Sequence, residues 1–367
     1  MTSRDRMKTV LSGNIPDKVP FSPTIYIDYA CVLCGKNFED ALINPSLGAE
    51  CMLGAALKYN TDVVRFVMGP DESWYSDKTV KKEDGILIQY DKKTGTKEGY
   101  YDFVGGGYYF PFEKQRFVQC INEVRDIKVI SSKEYIERGY LKDIKRYIEK
   151  AHDNGLFVVG MCGGQTINFM VEKLGSVDTA LMSFYDSPDL VYELINKAVE
   201  ISIQKGKAFI EVGVDCIYIG DSFASSSVIS PDIYKRFCAP AYKEVTQEFH
   251  NSGVFCYMHC CGNYNPLLEF LPSIGIDAMD GIDPTSGMSV KRTKDAIGKE
   301  LTLMGGISCL TLLNGSSEEV YDEARKCIEE GKSGGRYVLG SACAVPRATP
   351  TKNIIAAQKA IFEYGWY

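Results

Sequence analysis

Val254-Phe-Cys-Tyr-Met-His-Cys-Cys-Gly-Asn263 is a short apolar run that ends in a histidine, two cysteines and a glycine. Its length and its aromatic and β-branched content predict a buried strand. Helical patterns flank it at about 231–251 and 265–273, so it reads as one strand in a repeating strand–helix unit. Strand side chains alternate, so His259 and Cys261 share one face while Cys256 and Cys260 point the other way.

Outward from this stretch the same unit recurs. Apolar strands are expected at about 19–26, 62–67, 157–161, 216–220, 254–258, 276–281, 301–304 and 336–339. Helices are expected at 1–16, 45–59, 133–154, 166–184, 188–212, 289–298, 317–331 and 351–364, besides the two named above. Eight strands, most followed by a helix, predict an α/β fold with a parallel sheet closed into a (β/α)8 TIM barrel. The other architecture is an open doubly wound sheet, but no Gly-x-Gly-x-x-Gly follows the first strand. One excursion interrupts the alternation at about 69–131. Gly85-Ile-Leu-Ile-Gln-Tyr90 and Lys97-Glu-Gly-Tyr-Tyr-Asp-Phe103 flank Lys92-Lys-Thr-Gly95 there, which predicts a β-hairpin inserted after the second strand. Gly105-Gly-Gly-Tyr-Tyr-Phe110 then reads as an aromatic loop, a candidate lid. Residues 1–367 are read as a single domain.

Composition narrows the function. The chain has 367 residues, 45% hydrophobic and 24% charged, with a formal net charge of −7. No long basic run appears, which speaks against a nucleic-acid partner. No apolar run is long enough to span a bilayer and the N-terminus lacks a signal-peptide pattern, so a cytoplasmic protein is expected. Thirteen cysteines, an odd number spread through strands and helices, do not make a disulfide framework; most read as small buried hydrophobes. Cys31 and Cys34, a Cys-x-x-Cys pair after the first strand, are read as packing residues. Only three histidines occur; His152 and His250 lie near helix ends and read as surface residues.

His259 and Cys261 supply half of a tetrahedral zinc site. Cys343, in Tyr337-Val-Leu-Gly-Ser-Ala-Cys343, ends another strand and is the best further donor. In a barrel the C-terminal strand ends gather at one mouth. Met279-Asp-Gly-Ile-Asp-Pro284 offers Asp280 or Asp283 as an oxygen ligand, with Asp283 preferred because it lies further into the loop. Asp221, at a strand end, is the candidate catalytic carboxylate, able to orient a substrate or donate a proton. Its alternative role is positioning a loop or capping a helix. Gln165 and Asn263 are candidate hydrogen-bonding residues at the mouth.

These blocks resemble the uroporphyrinogen decarboxylase superfamily nearly end to end. The residues that carry the likeness are Arg4-Asp-Arg6 to Asp17-Lys-Val-Pro20, Gly160-Met-Cys-Gly-Gly-Gln165, Gly220-Asp-Ser222 with Ser230-Pro231, and His259-x-Cys-Gly-Asn263. Gly305-Gly-Ile307 and Cys343-Ala-Val-Pro346 with Thr349-Pro350 and Asn353 complete the set. The resemblance implies a (β/α)8 fold. The classical decarboxylases act on a tetrapyrrole rich in carboxylates and carry an arginine-rich N-terminal stretch; no arginine lies between Arg6 and Arg65 here. The His-x-Cys and Cys set looks instead like the zinc-dependent methyltransferase branch, of the methylcobalamin:coenzyme M type. That likeness implies zinc on His259, Cys261 and Cys343. It also implies a methyl group moved between a corrinoid and a small-molecule thiol or methylated substrate. No Asp-x-His-x-x-Gly motif occurs, so the cobalamin is expected on a separate, transiently bound corrinoid protein.

Overall fold

The computed structural model describes residues 1–102, 108–113, 116–259 and 261–367. Of the expected aromatic loop at 105–110, residues 105–107 lie outside the described residues, as does the orientation of Cys260, while 108–110 form a strand and not a loop because they pair with residues 100–102.

In chain order the strands are β1 (Val63–Phe66), β2 (Lys78–Glu83), β3 (Ile86–Asp91), β4 (Lys97–Asp102) and β5 (Tyr108–Pro111). Then follow β6 (Phe157–Gly163), β7 (Cys216–Gly220), β8 (Phe255–His259), β9 (Ala278–Ile282), β10 (Thr302–Ile307) and β11 (Tyr337–Ser341). A seven-stranded sheet runs β1-β6-β7-β8-β9-β10-β11, and its strand pairs are parallel. Strand order follows chain order because each connection carries the chain back over one face, usually through a helix.

Two apolar clusters show how the sheet curls. The larger lies between the strands and the surrounding helices. The second gathers Val63, Phe157, Val159, Cys216, Tyr218, Tyr257, Ala278, Met304 and Val338, inward residues of all seven strands. Met7, Val10 and Leu11 of the N-terminal helix Ser3–Leu11 join that inner cluster.

The expected first strand, 19–26, is not a strand of the sheet. It makes isolated bridges, Phe21 to Leu339 and Thr24 to Ala344, both parallel. Ser22 N–H donates to the Leu339 carbonyl at 2.8 Å, and Asp62 N–H donates to the Phe21 carbonyl at 2.7 Å. Residues 20–24 thus bond to both ends of the seven-stranded sheet. Pro20 and Pro23 have no N–H to donate, which prevents a continuous ladder.

The excursion holds four antiparallel strands, β2-β3-β4-β5, where two were expected. β2 was missed because Lys78-Thr-Val-Lys-Lys-Glu83 has little apolar alternation. Residues 265–274 form a 3₁₀ helix instead of the expected α-helix. Pro266 and Pro272 remove backbone donors there. The expected helix at 166–184 breaks at Gly175, whose φ of 90° is left-handed.

Candidate metal centre

β8 places His259 and Tyr257 on the inner face, with Cys256 and Met258 against the helices, as the alternation requires. Parallel register sets His259 opposite Gly220 of β7 and Asp280 of β9. A Cβ on Gly220 would lie 2.7 Å from the His259 carbonyl oxygen and 3.2 Å from its Cβ. Glycine there therefore lets β7 approach the ligand-bearing end of β8. His259 is 5% exposed, and the Tyr218 ring stacks on it at 5.8 Å.

The sequence separates Cys261 and Cys343 by most of a hundred residues, yet their sulfurs lie 3.9 Å apart. His259 Nε2 is 3.2 Å from Cys261 Sγ and 3.5 Å from Cys343 Sγ. All three donor atoms fall within 4.8 Å of one another, and among the described residues no other group of three metal-type ligands does so. Zinc takes sulfur at about 2.3 Å and imidazole nitrogen at about 2.0–2.1 Å, which in a tetrahedron spaces two sulfurs about 3.8 Å and sulfur from nitrogen about 3.6 Å. The donor triangle therefore fits zinc in both chemistry and size.

Asp280, not Asp283, stands behind the histidine. Its Oδ2 lies 2.9 Å from His259 Nδ1, and it is 1% exposed. A carboxylate only accepts, so Nδ1 carries the hydrogen and Nε2 keeps its lone pair for a metal. Asp283 is not brought to the group. Its carboxylate accepts from the Thr285 N–H at 2.9 Å and the Thr285 hydroxyl at 2.7 Å, capping the turn Pro284–Ser286. It has already left β9, whereas Asp280 still pairs with His259.

The charges in the group are strongly coupled. Burial disfavours the charged imidazole, but Asp280 outweighs it and His259 is pushed up to about 10. The Cys261 hydrogen bond, against burial and helped by His259, brings the Cys343 thiol down to about 4. Both shifts favour a protonated ring beside a thiolate when no metal is bound. A divalent ion must displace that proton, so binding it releases protons.

The other expected residues are placed as follows. Asp221 is 3% exposed and accepts from four donors: the Thr166 N–H at 3.0 Å, the Thr166 hydroxyl at 2.9 Å, the Asn168 N–H at 3.0 Å and the Phe223 N–H at 3.2 Å. Burial raises its pKa against the pull of these donors. It clasps the loop after β6 to the end of β7. Gln165 Oε1 accepts the Gly220 N–H at 3.0 Å and extends the β6–β7 ladder past its last backbone pair. Asn263 Oδ1 caps Asn265 N–H, and its own N–H donates to Ser227. His152 and His250 are not free surface residues. They pair with Asp215 at 3.0 Å and Asp277 at 2.8 Å.

Cys309 was missed by the sequence reading. It follows β10 and directs its thiol to the Ala344 carbonyl at 3.5 Å. Only the position of Ser308-Cys309 after a strand end could have flagged it.

The sequence pattern of the uroporphyrinogen decarboxylase (URO-D) family matches residues 105–364, so the chain belongs to that family. Within it, a methylated-thiol–coenzyme M methyltransferase of Methanosarcina mazei is 28% identical over 177 residues, 48% of this chain and 45% of that protein. The methylcobamide:CoM methyltransferase MtaA of Methanosarcina barkeri is 28% identical over 225 residues, 61% of this chain and 63% of that protein. A uroporphyrinogen decarboxylase of Chlorobium luteolum is 28% identical over 215 residues, 55% of this chain and 59% of that protein. The chain thus spans between 45% and 63% of the length of these curated relatives. A solved methyltransferase from Methanosarcina mazei shares the fold, with a TM-score of 0.75, 22% identity and 99% of each chain covered. Among the described residues no helix is long and apolar enough to cross a membrane.

Proposed function

We propose that this chain is a zinc-dependent methyltransferase, moving a methyl group between a corrinoid carried by a separate protein and a small-molecule thiol or methylated substrate. The donor triangle of His259, Cys261 and Cys343 carries this reading. The names of two relatives, both methyltransferases to coenzyme M, support it. In this reading residues 20–24 complete a closed (β/α)8 barrel, residues 1–367 form one domain, and the corrinoid protein docks transiently at the mouth of a cytoplasmic enzyme.

Bound zinc would supply a Lewis acid that holds a thiol as thiolate at neutral pH or polarises a methyl donor. The chain's residues do the rest. Asp280 fixes the imidazole tautomer, and the buried wall of Tyr218 keeps water from the ring. Two thiolates and a neutral imidazole cancel the ion's charge, so the fourth position favours exchange of a substrate over tight capture of an anion. Asp221 acts as a positioning residue for the loop that carries Gln165.

The second reading is decarboxylation of a tetrapyrrole, favoured by the Chlorobium relative. Its substrate needs free arginines, and the N-terminal ones are engaged. Arg6 is bridged to Asp17 at 2.7 Å and to Asp62 at 2.5 Å. Arg65 is buried on the Tyr257 hydroxyl, the Pro23 carbonyl and the Ser22 hydroxyl.

Purified protein assayed with methylcobalamin and a thiol should carry near one zinc per chain and turn methylcobalamin over to Co(I), seen by its absorbance. Absence of zinc together with decarboxylation of uroporphyrinogen would establish the second reading.

A further inference from the structure

Two buried polar groups beside the metal-ligand strand have no partner among the described residues. Gln165 is fully buried. Its oxygen is fixed by the Gly220 N–H, which settles which end of the amide is nitrogen, and Nε2 is left without an acceptor. Ser225 is 1% exposed and its hydroxyl is unpartnered. Each adjoins a glycine that neighbours a ligand residue. Gly220, which holds Gln165, is the residue whose added Cβ would press on His259. A Cβ on Gly262, the neighbour of Cys261, would lie 2.5 Å from Ser225 Oγ. An unmet buried donor costs about 1–3 kcal/mol, so such groups persist where a ligand completes them.

The charge around these groups is equally informative. The loops after β6 to β10, residues 164–166, 221–230, 260–264, 283–289 and Ser308, contain no lysine or arginine. Arg347, in the loop after β11, stacks over the Phe38 ring at 5.2 Å. Arg65 is consumed by three hydrogen bonds. An anionic tail entering here would find no lysine or arginine on those loops. The metal group adds no net positive charge.

Resting on the proposed function, we infer that Gln165 and Ser225 form a tail-recognition subsite. The small molecule bound at the metal carries an uncharged, hydrogen-bond-accepting tail, such as a hydroxyl, ether or carbonyl, and not a sulfonate or other anion. Gln165 Nε2 donates to that tail, and the Ser225 hydroxyl donates or accepts.

The test uses cobalt-substituted protein, whose thiolate charge-transfer bands report thiol binding without turnover. Three thiols of similar length are titrated: 2-mercaptoethanol, ethanethiol and 2-mercaptoethanesulfonate. The hydroxyl thiol should bind about tenfold more tightly than ethanethiol, the gain of one completed buried hydrogen bond. The sulfonate should bind most weakly. Gln165→Ala and Ser225→Ala should each bring 2-mercaptoethanol toward the ethanethiol value while cobalt content stays at wild type. Tighter binding of the sulfonate in the wild-type protein overturns the inference, as does an undiminished hydroxyl preference in both variants. If metal-loaded protein binds none of the three thiols, the thiol branch of the proposed function fails, and the subsite falls with it.

Discussion

At the residue scale, the Asp280–His259 pair decides whether the triangle is a metal site or an ion pair of buried side chains. Asp280→Asn keeps the size of the side chain and weakens its hold on Nδ1. It should weaken zinc binding about 10–100-fold in competition with a chelator, with little change in the folded structure. An unchanged zinc affinity would remove Asp280 from the account. Gly220→Ala tests the same strand end by crowding. The new methyl meets the His259 backbone and Cβ, so the variant should lose about 1–3 kcal/mol in denaturant unfolding and bind zinc less tightly. At this scale the sequence was informative where chemistry is rare. With three histidines in the chain, one at a strand end next to cysteine stood out. The choice between Asp280 and Asp283 depends on the β8–β9 register, which the sequence does not display, so the residue further into the loop, Asp283, was preferred where the register selects Asp280.

At the element scale, one device recurs at the N-terminal ends of the strands. Asp62, Asp215 and Asp277 precede β1, β7 and β9, and each accepts a backbone N–H from a neighbouring segment, Phe21, Val158 and Cys256. Each also meets a cation or a histidine: Arg6 for Asp62, Arg4 and His152 for Asp215, and His250 for Asp277. The Asp277 hydrogen bond, against burial, raises the pKa of His250. A raised folded pKa means the stabilisation is full below the unfolded value of about 6.5 and fades as pH climbs through the folded one. His250→Gln should therefore lower the melting temperature at pH 5.5 and have a smaller effect at pH 9. An equal effect at both pH values would show that the pair acts by packing alone. Strand and helix positions were largely legible because apolar runs of four to eight residues alternate with longer amphipathic ones. Residues 19–26 pair only through isolated parallel bridges and single backbone hydrogen bonds, since Pro20 and Pro23 interrupt the ladder expected there.

Over the whole molecule, the His259, Cys261 and Cys343 group sits at the C-terminal strand ends and the helix Ser3–Leu11 packs into the inner cluster with Met7, Val10 and Leu11. The N-terminal helix packing and the strand-end side-chain group thus lie at different places on the curled parallel sheet. Leu11→Ala, at a residue 3% exposed, should cost about 2–5 kcal/mol in urea unfolding while zinc per folded chain stays constant. Loss of zinc in proportion to stability would contradict that separation. The most direct test of the central claim is zinc X-ray absorption on the purified protein, compared with its Cys343→Ala variant. Two sulfurs at about 2.3 Å and a nitrogen at about 2.0–2.1 Å in the wild type, with the zinc lost from the variant, is the predicted result. A variant that keeps its full zinc, or a wild type whose zinc shows no sulfur neighbours, would contradict it.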